Sequence, residues 1–363
     1  VPPRALALTL LLSACVTEPE ARALRDLELG RASAPAWTFV DEAGLLHVRE
    51  STDTSLVLRA SSAEFAFKLT RTDAALDVVT VRISNVLPGL SLSAPVGVLT
   101  ADGSPTAGAA EPTLHLGARF DVRFPPGVDV VEVRSVPPAT GDFTFLALGD
   151  IQEAIPRFGE VVDRLNAEPA ADFLVLLGDI TNRTSPQEFD DVEAAITRLR
   201  MPVYATPGNH DCYTSDGYQR RFGRASYTFT HRGVRFTSLD SGSGTLAATT
   251  WDALPSWLAA GRTQPHVVFT HIPITEVNGL RGSQWSSRRE ARHASSLLAE
   301  AGVDLLLFGH VHSFDAFEVA GIPAFISGGG GASPEAFDGL GRHFLRVTVK
   351  GGVPSIAVVR VDE

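Results

Sequence analysis

The sequence predicts two folds in series, an all-β, sandwich-like domain followed by a layered α/β domain. Three observations predict it. From Trp37 to about Pro138 apolar residues alternate with polar ones, the period of strands with one buried face. Beyond the SVPPATG segment at residues 135–141, apolar runs alternate with helical patterns, as in sheets buried on both faces. Several of those runs stop at a Gly followed at once by Asp or His, which puts a polar side chain at a carboxyl strand end, where open α/β sheets bind their ligands.

With 363 residues the chain has room for two domains and a large core in at least one. A formal net charge of −11 argues against broad nucleic-acid binding through a basic face. An anionic ligand has to be attracted locally, by metal ions or a few arginines. The oligomeric state is not written in the sequence.

Residues Ala5 to Leu12 form an apolar run after Arg4 that stops at Ser13-Ala14-Cys15, too short to span a bilayer and right for the core of a secretory signal. LSAC resembles the lipobox of bacterial lipoproteins. That resemblance implies a signal peptide at residues 1–14, lipidation of Cys15, and an exported cell-envelope lipoprotein held at the membrane. The alternatives are an ordinary signal peptide and a trimmed helix with a chance cysteine. The second of the two cysteines, Cys212, would then have no disulfide partner and reads as a small buried filler. Residues 15–36 mix charge, Ala and Pro without a sustained apolar face and read as a tether.

In the β domain, residues 37–138, Phe65, Phe67 and Leu69 alternate with Ala66 and Lys68, and Phe120, Val122 and Phe124 with Asp121 and Arg123. His47 and His115 stand alone there and form no metal-type cluster. A spacer, a wall of the substrate site and a partner-binding module are all compatible with this domain.

The α/β domain, residues 142–363, opens with a strand in TFLALGDIQ at 144–152 that ends in Asp150 and Gln152, and a helix is expected over Pro156–Glu168. Phe173 to Leu177 form the next buried strand, ended by Gly178 and Asp179. Asp179 is read as a carboxylate shared by two metal ions, against the ordinary turn that Gly-Asp alone would make. Ser185, Pro186 and Glu188 then signal a helix start with a capping box, and Phe189, Val192, Ile196 and Leu199 share its inner face. PVYATPGNHD puts Asn209 and His210 in a loop after a strand, HVVFTHIP puts His271 at a strand end, and a helix over Arg288–Ala301 leads to VDLLLFGHVH with His310 and His312. Gly328 to Gly331 lack the Lys-Ser/Thr of a P-loop and read as a tight turn. AFIS, HFLRVTV and SIAVVRV complete the sheets.

The ordered blocks GD, GD, GNHD, H and GHVH, each after an apolar strand, resemble the calcineurin-like metallophosphoesterase family from about Asp142 to the C-terminus. The resemblance implies a β-sandwich flanked by helices, an αββα architecture, and two metal ions: Mn, Fe or Zn. One ion would take Asp150, Gln152, Asp179 and His312, the other Asp179, Asn209, His271 and His310. It implies a phosphoester substrate, a monoester or diester, hydrolysed by attack of a metal-bridging hydroxide. His210 would face the substrate as charge stabiliser or proton donor, with Asp211 either orienting that imidazole or capping the turn.

Mixed carboxylate, amide and imidazole donors suit hard-to-borderline dications. Since only Asp150 and Asp179 carry charge, the pair of ions keeps a local positive excess that attracts phosphate and acidifies bound water. Arg281, Arg288 and Arg289 could clamp phosphate oxygens or be solvated helix charges. Two departures from the family pattern stand out. Gln152 replaces a common His and weakens that site, and Asn182 stands where an acid is common. The competing reading is therefore a surface lipoprotein with weakened catalysis that binds a phosphate ligand or a partner.

Overall fold

The computed structural model describes residues 18–94, 98–100, 109–111, 113–169, 171–213, 216–276, 279 and 282–362. The signal segment, Cys15 and Arg281 lie outside the described residues.

The alternating N-terminal stretch forms two packed sheets. One orders strands 31–34, 37–40, 66–71, 130–135 and 92–93; the other orders 46–51, 55–60, 78–84, 117–123 and 98–100, with 109–111 beside 117–123. Trp37, Phe39, Phe67, Val81, Phe120 and Val133 point into a shared core, as the period of two requires.

The tether expected over residues 15–36 is corrected. Pro19–Glu28 is a helix, α1, and Arg31–Ala34 is an edge strand. This helix turns its polar side inward: Pro19, Arg22 and Asp26 are buried, while Leu24 and Leu27 are exposed. Arg22, 1% exposed, donates from Nε to Asp240 Oδ2 at 2.7 Å and from Nη2 to Oδ1 at 2.9 Å. Asp26 accepts the backbone N–H groups of Ala225 and Ser226. Paired, hydrogen-bonded charges are the ones a protein can bury, so α1 is fixed to the α/β domain.

That domain has four layers. Strands 203–205, 174–176, 143–148, 343–350 and 353–360 make one sheet, parallel among the first three. Strands 227–231, 234–239, 266–270, 305–308, 322–327 and 314–319 make the other, parallel through its centre. Phe145, Phe173, Tyr204, Phe229, Phe236 and Phe269 fill the space between the sheets. Helices α2 (Phe158–Asn166) and α3 (Pro186–Ile196) cover the first sheet. After the single turn α4 (Gln219–Phe222), helices α5 (Ala248–Gly261) and α6 (Arg288–Glu300) cover the second. The result is the helix-flanked αββα sandwich.

Ser185 and Glu188 form the expected capping box of α3. The helix expected from Pro156 instead begins at Phe158, because residues 152–157 wind as a 3-10 turn that includes Pro156. His47 lies on strand 46–51 and His115 just before strand 117–123, and each donates from Nε2 to a carbonyl of the α/β domain, Arg220 O at 2.8 Å and Leu199 O at 2.9 Å. Buried Arg59 reaches the same face, donating to Phe222 O and Val203 O. No helix of the described residues is long and apolar enough to cross a membrane.

Candidate metal centre

Five strand ends deliver the polar cluster. Strands 143–148, 174–176 and 203–205 lead to Asp150, Asp179 and Asn209; strands 266–270 and 305–308 lead to His271 and His310. The chain turns so sharply after three of these strands that Asp150, Asp179 and His310 adopt positive φ of 65°, 50° and 71°. Left-handed backbone at non-glycine residues costs about 1 kcal/mol or more and persists where the surroundings enforce it. Here Asp150 N–H donates to Gly178 O, Gln152 N–H to Asp179 O, and His310 N–H to the Asp150 carboxylate. The loops hold one another in place.

Glycines make that interlock possible. A Cβ on Gly178 would lie 2.6 Å from His271 Nδ1, and one on Gly208 would lie 2.1 Å from Asp179 Oδ1. Gly330 is likewise pressed on Gly149 O, so part of the glycine run read as a tight turn is a close backbone contact beneath Asp150.

The structure brings all seven expected ligand residues together. Ligand atoms of Asp179, His271 and His310 lie within 4.8 Å of one another, and so do those of Asp150, Asp179 and His312. Asp179 belongs to both groups. Asn209 Oδ1 is 3.1 Å from His271 Nε2, and the Gln152 side-chain nitrogen is 2.9 Å from His312 Nε2. Second partners set the tautomers: His271 donates from Nδ1 to Leu177 O at 2.7 Å, and His312 from Nδ1 to Ser333 O at 2.8 Å. Both therefore turn an Nε2 lone pair to the cluster, as metal-binding imidazoles do.

These donors fit a pair of dications. Two carboxylates, two side-chain amides and three imidazoles converge, and the buried Gln152 Oε1 has no protein partner, although a buried carbonyl oxygen ordinarily finds one. Burial opposes ionisation of Asp179, yet the His271 imidazole and the His210 N–H hold its carboxyl below the usual range. Burial also opposes charge on His271, and the neighbouring Asp179 more than compensates, raising it. Asp150 is pushed up, chiefly by burial.

His210 stands apart from both groups. It donates from Nδ1 to Asn182 O at 2.9 Å, and its ring meets Tyr213 edge-on, leaving Nε2 as its outer atom. Asp211 does not orient that ring, which corrects the catalytic alternative considered for it. Its buried carboxylate accepts from the backbone N–H groups of Ile180, Thr181 and Gly208 and from the Thr181 hydroxyl. The single 3-10 turn over Asn209–Cys212 sends neighbouring side chains in different directions. Asp211 thus ties the Asp179 loop to the Asn209 loop.

Arg288 and Arg289 are exposed at the start of α6. Sequence reasoning missed Tyr213, the carbonyls of Leu177, Asn182 and Ser333, and a cavity of about 680 Å³ beside His310. No residue-type signal marks a carbonyl acceptor.

Residues 143–314 match the family model for calcineurin-like phosphoesterases. The C-terminal part of the chain thus carries the pattern of a calcineurin-like phosphoesterase. Over 167 residues, 43% of this chain, it is 30% identical to a 3′,5′-cyclic-nucleotide phosphodiesterase (alr5338) of Nostoc sp., and the match spans 61% of that relative. In fold it is similar to the purple acid phosphatase PPD1 of yellow lupin, Lupinus luteus, with a TM-score of 0.54 at 12% identity over 83% of this chain and 70% of that one. At such identity the likeness concerns architecture alone.

Proposed function

We propose that the chain is a metal-dependent phosphoesterase that hydrolyses a phosphomonoester or phosphodiester. The observation that carries this reading is the sharing of Asp179 between two groups of ligand atoms, the arrangement a two-ion site requires. Two dications there would acidify a bound water and neutralise phosphate oxygens. The Nostoc relative is named a phosphodiesterase, which supports phosphoester chemistry.

The chain's own residues supply the rest. Asp150, Gln152, Asp179, Asn209, His271, His310 and His312 would hold the ions. Leu177 O and Ser333 O fix the two imidazole tautomers. Water attacks phosphorus in line, the bond to the alcohol oxygen breaks, and that oxygen needs a proton. We assign that donation to His210: its Nδ1–H is held by Asn182 O, so a proton it gives to the leaving oxygen would come from Nε2.

Proton donation matters where the departing alkoxide is too basic to leave unaided. For His210→Ala we expect turnover to fall about 10²–10⁴-fold with an alkyl ester and clearly less with a nitrophenyl ester, at unchanged metal content. Equal losses on both esters would leave His210 a purely electrostatic role. Absence of turnover in metal-loaded wild type across mono- and diesters would favour the binding-module reading.

A further inference from the structure

We propose that the first turn of α1 is a wall of the substrate cleft and a specificity determinant, favouring a phosphoester whose alcohol portion carries an ammonium group. This rests on the phosphoesterase reading. The cavity of about 680 Å³ beside His310 is lined by Ile272 and Trp251 together with Glu18, Pro19 and Glu20. A phosphate held at the metal centre would extend its organic substituent into this space. Residues 18–20 lie far outside the segment that matches the family, 143–314, so this wall belongs to the chain's own N-terminal extension.

The wall is rigidly mounted. The buried Arg22–Asp240 pair sits within one turn of Glu18, and Asp26 closes the other end of α1 on Ala225 and Ser226. Arg22 also donates to the hydroxyl of Ser243, itself a lining residue. The helix is thus fastened to a loop that lines the cavity, and Glu18 and Glu20 are held against the same space.

Charge then decides the preference. The described residues that line the cavity include Glu18, Glu20 and Glu290 and neither lysine nor arginine. Glu290 is engaged by the Thr245 hydroxyl, while Glu18 and Glu20 are exposed. The N-terminus of α1 contributes only about half a positive charge, less than the two carboxylates that flank it. Trp251, half-buried, stacks one face on His293 and meets Trp285 edge-on; the rest of its ring adds aromatic surface to the lining, and a cation is attracted to aromatic faces and carboxylates together. An anionic substituent would meet repulsion there.

The test uses two esters of the same shape and leaving group that differ only in charge, p-nitrophenyl phosphorylcholine and p-nitrophenyl 3,3-dimethylbutyl phosphate, with added manganese at low salt. Wild type should favour the choline ester in kcat/KM by about three- to tenfold, the scale of two exposed charge pairs, and the advantage should shrink with salt. Glu18→Gln with Glu20→Gln should bring the ratio close to one; both side chains are exposed, so the fold is not at stake. Calorimetric titration with phosphocholine and 3,3-dimethylbutyl phosphate should give the same preference and the same loss without any turnover. p-Nitrophenyl phosphate and bis(p-nitrophenyl) phosphate together report the phosphoesterase reading separately: if neither is hydrolysed while the binding preference holds, that reading fails and α1 remains the selective wall of a binding cleft. A ratio near one in wild type, or one that survives the double substitution, overturns the inference.

Discussion

Adding a single methyl group at Gly309 should damage the metal centre, although Gly309 offers no side-chain ligand. A Cβ built there would lie 2.7 Å from Leu177 O, 2.8 Å from Asp150 Oδ2 and 3.1 Å from His271 Nδ1. Real Cβ contacts do not approach to 2.8 Å, so groups on both sides must give by a few tenths of an ångström. The first is the carbonyl that receives the His271 Nδ1–H at 2.7 Å, and the second belongs to the carboxylate that receives the His310 N–H at 2.9 Å. Gly309 has no positive φ, so the strain comes from crowding alone. Overpacking of this kind costs about 1–3 kcal/mol, and a domain of this size loses about 2–4 °C per kcal/mol. Displacing a partner of a ligating imidazole weakens metal affinity about 10–100-fold. For Gly309→Ala we therefore expect a lower thermal midpoint without metal and a larger deficit with it, because stabilisation by the ion is lost as well. Differential scanning calorimetry with and without manganese, together with metal analysis after dialysis against a fixed free concentration, measures both. Full metal content at an unchanged midpoint would refute the reasoning.

Asp179→Asn should lower occupancy of both ions together, whereas Gln152→Ala should chiefly affect one; wild-type metal stoichiometry in the Asp179 variant would reject the shared carboxylate. Burial, with help from Arg235, depresses the His266 imidazole to about 4, below its unfolded value, so between roughly pH 6.5 and 4 the unfolded chain binds a proton that the fold does not. The stability this residue contributes is present above pH 6.5 and drains away on acidification, by about 2 kcal/mol at pH 5; denaturant melts should show a shallower loss from pH 7 to 5 in His266→Gln, and equal slopes would refute the assignment. Anchoring through Cys15 predicts that Cys15→Ser abolishes acyl labelling and releases the protein from membranes, and labelling that persists would reject it.

The sequence by itself determined the order and nature of the layers. Buried strands such as Phe143–Leu148 and Leu305–Phe308 announce themselves because a strand covered on both faces needs an unbroken apolar run. The strand-end Asp and His blocks were legible for the same reason, since the run stops where the polar side chain begins. Capping of α3 was legible because Ser185, Pro186 and Glu188 act within one turn. Only the tertiary structure decided the rest. Helix α1 was unreadable because it inverts the usual rule: its inward face is Arg22 and Asp26, paid for by partners about 200 residues away, and its apolar Leu24 is 59% exposed. The role of Asp211 was likewise undetermined, because which neighbour a loop carboxylate meets depends on how the turn twists, and here it meets the N–H groups of Ile180 and Thr181. The demand for glycine at 178, 208 and 309 was hidden too, since it arises from loops that approach one another only in three dimensions. Local pattern records what a residue must bury; long-range contact decides what it touches.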